Sequence, residues 1–386
     1  MPSSYSKSLS IDIEQPSRGR RHKNQGLWNT PSLFRSMSTD RDASSINNLA
    51  PLYHSSRAQE QVHKPSSQYG SDWAIGKLRK LGYYHPAEPS HVCFSKSQLG
   101  RTLARLKDCL RALSCHVLYE TNECGAECQT MDRIHFQITF FEKDPQTILF
   151  EIQRRAGDSF VFHCQYTRPI LAAIRGSQLS SLHSQSTDCN MAVSIDHLAI
   201  AASEEEVSEA IELAANMIST DRLDACQLGM ESLAVLTDTT KTGLSTARKV
   251  AHALLMPAEG KSSKLVQILL RYLLDRKESD LTYYALKVWS NVWQIAAGDD
   301  ETHLDAFCNT VCPASTLVCS LANRIDHVHE HPHEATLALL GLSALCHEMP
   351  QLRIVVPRSC VEEAKAMGAF EHAALEQASR LYLEGH

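Results

Sequence analysis

The stretch that most constrains this chain runs from Leu149 to Ser177, LFEIQRRAGDSFVFHCQYTRPILAAIRGS. Ile148, Phe150 and Ile152 alternate with Leu149, Glu151 and Gln153, a period of two that puts one set on each face of a strand. Arg154 and Arg155 follow where the strand leaves its sheet. Gly157 supplies a residue that can take positive φ, and Asp158 or Ser159 can cap a helix after it. Phe162, Tyr166 and Ile170 then fall four apart on one helical face. Pro169 removes a backbone donor and predicts a kink in that helix.

The residues upstream read as the rest of a small α+β domain that begins at Trp73. Leu99, Leu103, Leu106, Leu110 and Leu113 are spaced four, three, four and three, which predicts an amphipathic helix capped by Ser95 or Ser97. Its other face carries Arg101, Arg105, Lys107 and Arg111, either a solvated face or a platform for phosphates, which arginine forks fit well. Val117 and Tyr119 suggest a short strand. Residues 120–128, ETNECGAEC, read as an acidic loop in which Cys124 and Cys128 lack the second ligand pair of a zinc site. Ile134, Phe136, Ile138 and Phe140 alternate with Arg133, His135, Gln137 and Thr139 as a half-buried strand, and Asp144-Pro145 turns into the strand described first. The expected order is helix, antiparallel sheet, helix, with both helices on one face.

The run FEIQRRAGDSFVFHCQYTRPIL resembles the end of the kinase-associated domain at the C-terminus of MARK-type kinases. In that family a strand with a basic end leads through a Gly-Asp or Gly-Thr turn into a final helix packed on the sheet. A leucine helix, an acidic loop and a strand like Arg133–Ile138 stand upstream, as the family has them. The resemblance covers about a quarter of the chain and implies binding of anionic phospholipid through basic side chains. On this chain those are Arg101, Arg105, Arg111, Arg154 and Arg155. The bland competitor is that Arg154 or Arg155 pairs with Glu151 or Asp158 and only fixes the turn. The kinase signatures (glycine-rich loop, HRD and DFG) are absent.

Outside this domain the chain divides again. Residues 1–72, rich in Ser, Pro, Asn, Gln and Arg, have no hydrophobic period and are expected to be a disordered arm. The basic run Arg18-Gly19-Arg20-Arg21-His22-Lys23 reads as a solvated patch, a nuclear-import signal or an anionic-surface anchor. Arg35-Ser36-Met37-Ser38 fits a basophilic kinase site at Ser38, where phosphate would add roughly −2 charge. Residues 177–202 read as a linker. From Ser203 to the end the sequence is helical. Ser203-Glu204-Glu205-Glu206 gives a capping serine and an acidic first turn, and Asp221 is placed to cap the next helix. Further helices are expected near 241–256, 262–276, 280–297, 303–323, 334–348 and 359–383. GMESLAVLTD, ALKVWSNVWQ and LLGLSALCHE share apolar spacing at intervals of 56 and 54 residues, so residues 203–386 resemble a short armadillo/HEAT-like array, with a compact bundle as the competing fold. Trp289 and Trp293 read as core, or as an aromatic strip in a peptide groove.

Charge separates the two parts. Residues 1–180 hold 23 Lys and Arg against 16 Asp and Glu, and residues 181–386 hold 15 against 28, which points to different partners for each. No apolar run approaches the ~20 residues of a membrane span, and the N-terminus has no secretory core. Thirteen cysteines without framework spacing read as reduced thiols. The sequence HEHPH at His329–His333 formally matches the zinc-protease pattern HExxH, but Pro332 forbids one continuous helical turn carrying both histidines. It instead fits the first turn of the following helix, and the HVHEHPH tract keeps at most loose metal affinity. Walker, GxGxxG and GxSxG motifs are absent. The sequence therefore predicts a non-enzymatic scaffold or adaptor without a cofactor. Its α+β domain would bind anionic phospholipid or a protein, and its helical array would bind a protein partner. No nucleic acid or small-molecule substrate is expected. The location is cytoplasmic, with peripheral membrane attachment and nuclear entry as further readings. The alternative is an enzyme whose site no known motif marks.

Overall fold

The computed structural model describes residues 73, 75–84, 90–120, 124–176, 202–257, 261–275, 279–298 and 304–385. The expected arm and its Arg18–Lys23 run, Ser38, and nearly all of the expected linker lie outside these residues.

The organising stretch forms strand β6 (Thr147–Ala156), second from one edge of a six-stranded sheet. Its neighbours are β2 (His91–Ser95) and β5 (His135–Asp144), both antiparallel. Beyond β5 come β4 (Gly125–Gln129) and then β3 (His116–Glu120) at the far edge. A two-residue strand, β1 (Arg79–Lys80), runs parallel to β5 past the point where β4 ends. The alternation in β5 buries Phe136, Ile138 and Phe140, and β6 buries Ile148, Phe150 and Ile152. Against that face lie helix α1 (Leu99–Ala112) and the helix after β6, so both helices cover one side as expected.

Three local readings change and one holds. Residues 125–128 of the expected acidic loop belong to β4, which is paired on both sides, and Cys128 sits in the core. Neither Ser95 nor Ser97 caps α1; the N-cap is Gln98, with no side-chain bond. Asp158 does cap its helix, accepting from the Val161 N–H at 2.8 Å. That helix opens as α2 (Ser159–Val161), widens into a π-helical stretch over Phe162–Thr167, and resumes as α3 (Arg168–Arg175). The expected kink is thus a π-bulge: the Arg168 N–H reaches back five residues to the His163 carbonyl, just before Pro169, whose missing N–H breaks the regular ladder.

The second half is all helical: α4 (Glu204–Ile218), α5 (Leu223–Leu236), α6 (Thr239–Thr242), α7 (Leu244–Leu255), α8 (Lys261–Leu274), α9 (Asp280–Ala296), α10 (Leu304–Thr310), α11 (Ala314–Asp326), α12 (Pro332–Glu348), α13 (Arg358–Glu371) and α14 (Ala373–Glu384). Ser203 and Glu206 form the reciprocal capping box that their spacing predicts. Arg222, not Asp221, is the N-cap of α5. The helix expected over 303–323 is broken ahead of Pro313, and that over 359–383 at His372, whose ring caps α14. Helices α9 and α12 are buried on nearly all faces, as helices apolar all round must be. Trp289 and Trp293 stack at 5.7 Å in that core, which settles their reading as core residues. No helix among the described residues is long and apolar enough to cross a membrane.

The sheet half and the helical half belong to one compact unit. Among the described residues, two patches join them. At the first, the β4–β5 turn meets α6 and α9. Tyr283 donates to the Met131 carbonyl at 2.5 Å, and the Arg133 guanidinium lies 4.8 Å over the Tyr283 ring while pairing with Asp280. Asp132 faces the Lys241 and Lys287 ammonium groups at 3.3 and 3.7 Å and accepts from the Tyr166 hydroxyl. At the second, the segment after α1 meets α12 and α14. There the Ser114 carbonyl accepts from His333 Nε2 at 3.1 Å, the Ser114 hydroxyl accepts from the Ala374 N–H at 2.8 Å, and Arg111 pairs with Glu376 at 2.5 Å. Ser114 and Arg133 both have φ in the left-handed region, +53° and +58°. Non-glycine residues adopt it only where surrounding contacts hold them there.

Candidate functional site

The five arginines singled out in the sequence fall in four places. Arg101 is exposed on α1. Arg105 donates to the Ile174 carbonyl at 3.1 Å and so closes the C-terminal end of α3, where a cation offsets the helix dipole. Arg111 is drawn to Glu376 of the helical half. Arg154 and Arg155 lie exposed within the last residues of β6, which still pairs with β5 there, and not past the sheet as expected, Arg154 donating to the Gly157 carbonyl at 2.6 Å and Arg155 to Gln137 Oε1. Arg154 therefore fixes the turn, though through a backbone carbonyl and not through Glu151 or Asp158. Four of the five forks make intramolecular bonds, and they do not converge on one surface.

A different basic surface lies at the sheet end formed by the β5–β6 hairpin. Strand β1 runs toward it, and the Leu81 N–H bonds the Glu142 carbonyl at 3.0 Å. The chain then projects past the sheet edge, leaving Tyr83 93% and Tyr84 89% exposed, edge to face at 4.7 Å. Around them stand the exposed Arg79 and Lys80, Lys143 on the hairpin, and Lys96, whose N–H bonds the Gln146 carbonyl. Two acids share this end. Glu142 pairs with Lys96 at 3.1 Å, and Asp144 accepts from the Gln146 N–H, a bond that holds its carboxyl below the usual range. Sequence reasoning passed over KLRKLGYY, residues 77–84. The available signal was a basic run followed directly by paired aromatics, but the strand that aims it is only two residues long.

The histidine tract resolves into separate roles. Pro332 opens α12, so His329 and His333 do not share a helical turn. His329 is exposed near Glu363, whereas His333 is buried at the junction. Among the described residues no three His, Cys, Asp or Glu side chains are grouped to hold a metal.

The helical half also carries an open cleft of about 600 Å3 between the end of α8, one face of α11 and the start of α12. At its floor Arg324 is paired with Glu334 at 2.5 Å and bonds the Asp275 carbonyl at 2.7 Å, so this buried cation is satisfied within the fold. Ser320 donates to the Leu273 carbonyl, and α11 thereby caps the free carbonyls ending α8. The rim is polar: Ser315, Thr316, Cys319, Asn323 and His327.

No protein-family model, no curated protein and no solved structure matches this chain.

Proposed function

We propose that this protein is a non-catalytic adaptor. Its α+β half rests on an anionic membrane surface, and its helical half, a short armadillo/HEAT-like array in this reading, holds a protein partner. The observation that carries the membrane part is the pair Tyr83 and Tyr84, almost wholly exposed at a sheet end that also carries the exposed Arg79, Lys80, Lys96 and Lys143. Tyrosine rings favour the headgroup layer because one end is apolar and the other polar. Basic side chains near such a surface gain ~1 kcal/mol each. Four cations against Glu142 and Asp144 leave about two uncompensated, or ~2 kcal/mol, which is a roughly 30-fold enrichment. That is a reversible foothold, and it needs a second anchor for stable attachment. The succession of helix α1, antiparallel strands β3–β6 and a final helix, though with β1 and β2 ahead of α1, is compatible with the kinase-associated-domain reading from which lipid binding was expected. The acidic balance of residues 181–386, 15 Lys and Arg against 28 Asp and Glu, favours a partner with a basic surface.

The test is co-sedimentation of the full chain with vesicles containing or lacking phosphatidylserine, over a salt series. Binding should require the anionic lipid, fall as salt rises, and drop when Arg79, Lys80 and Lys143 are changed to Glu. Equal binding to neutral vesicles, or by the charge-reversed variant, refutes the membrane assignment.

A further inference from the structure

The second patch between the halves is built around three imidazoles that are far apart in sequence. His116 starts β3, His333 lies in the first turn of α12, and His372 is the single residue between α13 and α14. The His333 ring centroid is 6.2 Å from that of His116 and 5.0 Å from that of His372. His333 and His372 are 4% and 1% exposed. His333 Nε2 donates to the Ser114 carbonyl. His372 Nδ1 accepts from the Leu375 N–H, and its Nε2 is buried with no hydrogen-bond partner among the described residues. Each ring thus spans the halves or caps the helix that does.

Every element packed around the trio bears on its charge. From the sheet half come Lys107 and Arg111 of α1, Cys115 and Tyr119. Arg133 approaches from the β4–β5 turn, and His331 from the residue before α12. The acids are Glu371, at the end of α13, and Glu376, already held by Arg111 and Arg380. Glu376 is therefore committed to two arginines, and Glu371 stands exposed to solvent. His116 is half-buried, but protonating His333 or His372 would put a cation among imidazoles where water hardly reaches, and the usual relief is to open the site.

We propose that the His116–His333–His372 cluster is an acid-opened latch: protonation releases α12 and α14 from the segment after α1, while the Asp132–Arg133 patch stays docked as the hinge. Opening would uncover Arg111 and the Ser114–Tyr119 segment.

The sign follows from the environment. Burial, with His331 nearby, lowers His116 to about 4; burial, with His116 nearby, lowers His372 to about 4; burial and His372 push His333 well below its ordinary value. A histidine with a depressed value stabilises the closed form above its free value of ~6.5, and that stability is lost as pH falls toward the lowered value. Between neutral pH and pH ~5 each such ring shifts the closed–open equilibrium roughly 30-fold toward open, and two rings shift it about 1,000-fold.

The test is hydrogen exchange of the full chain at pH 7.5 and 5, with labelling times scaled for the intrinsic chemistry. Amides of 110–119 and 370–376 should lose protection by about three orders of magnitude while α4, α5 and α7 keep theirs. In the triple variant His116→Gln, His333→Gln, His372→Asn, whose amides can still donate or accept the same bonds, that acceleration should vanish. If the triple variant is not protected at pH 7.5, the single His372→Asn change replaces it, and the acceleration should shrink roughly 30-fold. Loss of protection throughout the chain together, no loss in the unmutated protein, or an undiminished loss in the variant used would each overturn the latch.

Discussion

Substituting Gly368 by Ala tests the close approach that turns the chain between α13 and α14. His372 alone joins those helices, so they cross tightly near the turn. A Cβ on Gly368 would lie 2.4 Å from Glu376 N, 2.8 Å from Glu376 Cα and 3.0 Å from the Leu375 carbonyl carbon. All three are backbone atoms in a helix, so no rotamer change relieves the overlap. Against this stands the helical preference for Ala over Gly, about 1 kcal/mol. Overpacking a fitted contact costs roughly 1–3 kcal/mol, and an approach this short against backbone falls at the upper end. The net expectation is a loss of about 2 kcal/mol, or a melting temperature lower by about 4–6 °C for a unit of this size. Gly100→Ala is the internal control. It sits in the first turn of α1 with nothing within 4 Å of the added methyl, so only the propensity gain of up to ~1 kcal/mol remains. Paired melts by circular dichroism read both. If Gly368→Ala melts at or above the unmutated protein, the α13–α14 crossing is wrong.

Two further substitutions probe the sheet half and its hinge. Asp132→Ala strands Lys287, whose side chain is only 15% exposed, beside Lys241. Allowing for the partial exposure of Asp132 and Lys241, this should cost about 2 kcal/mol in a urea titration. Burial pushes the Asp132 carboxyl up, but Lys287, Lys241 and the Tyr166 hydroxyl hold it below the usual range. The depressed value means the stabilisation is present above ~3.9 and fades as pH falls below it; a gap between variant and parent that stays constant through that range would contradict the ion-pair account. Gly157→Ala forces a side chain onto φ +93° and a Cβ to 2.8 Å from Ile134 Cα. It should lose roughly 1–3 kcal/mol by thermal melt, and a neutral result would refute the turn geometry.

The sheet half was legible where periodicity is strong. The leucine spacing of α1 and the alternation of β5 and β6 each mark one face, and burial follows them. Strand β4 was not legible, because Gly125-Ala126-Glu127-Cys128-Gln129 has little strand preference of its own. Its conformation comes from two flanking partners, and Ala126 and Cys128 are small enough to lie under the helices. Pro169 announced a disturbance but not its form. The junction was out of reach for a different reason: Lys241 and Asp132 are 109 residues apart, and Arg111 and Glu376 are 265 apart. Nothing local in either member marks the pairing. In the same way the tract at 327–333 drew attention as a group, yet only burial distinguishes His333, at the junction, from the exposed His327 and His329. The basic arginines were visible as charges, but which forks are already occupied depends on carbonyls and carboxylates brought near by folding.

The membrane assignment is tested most directly by hydrogen exchange of the full chain with and without phosphatidylserine vesicles at neutral pH and low salt. The account predicts that bound vesicles slow exchange at residues 77–84 and 142–146, where Tyr83, Tyr84 and Lys143 stand, and leave 101–111 and 154–160 unchanged. Protection appearing at those arginine-bearing segments instead, or no protection anywhere, would contradict it.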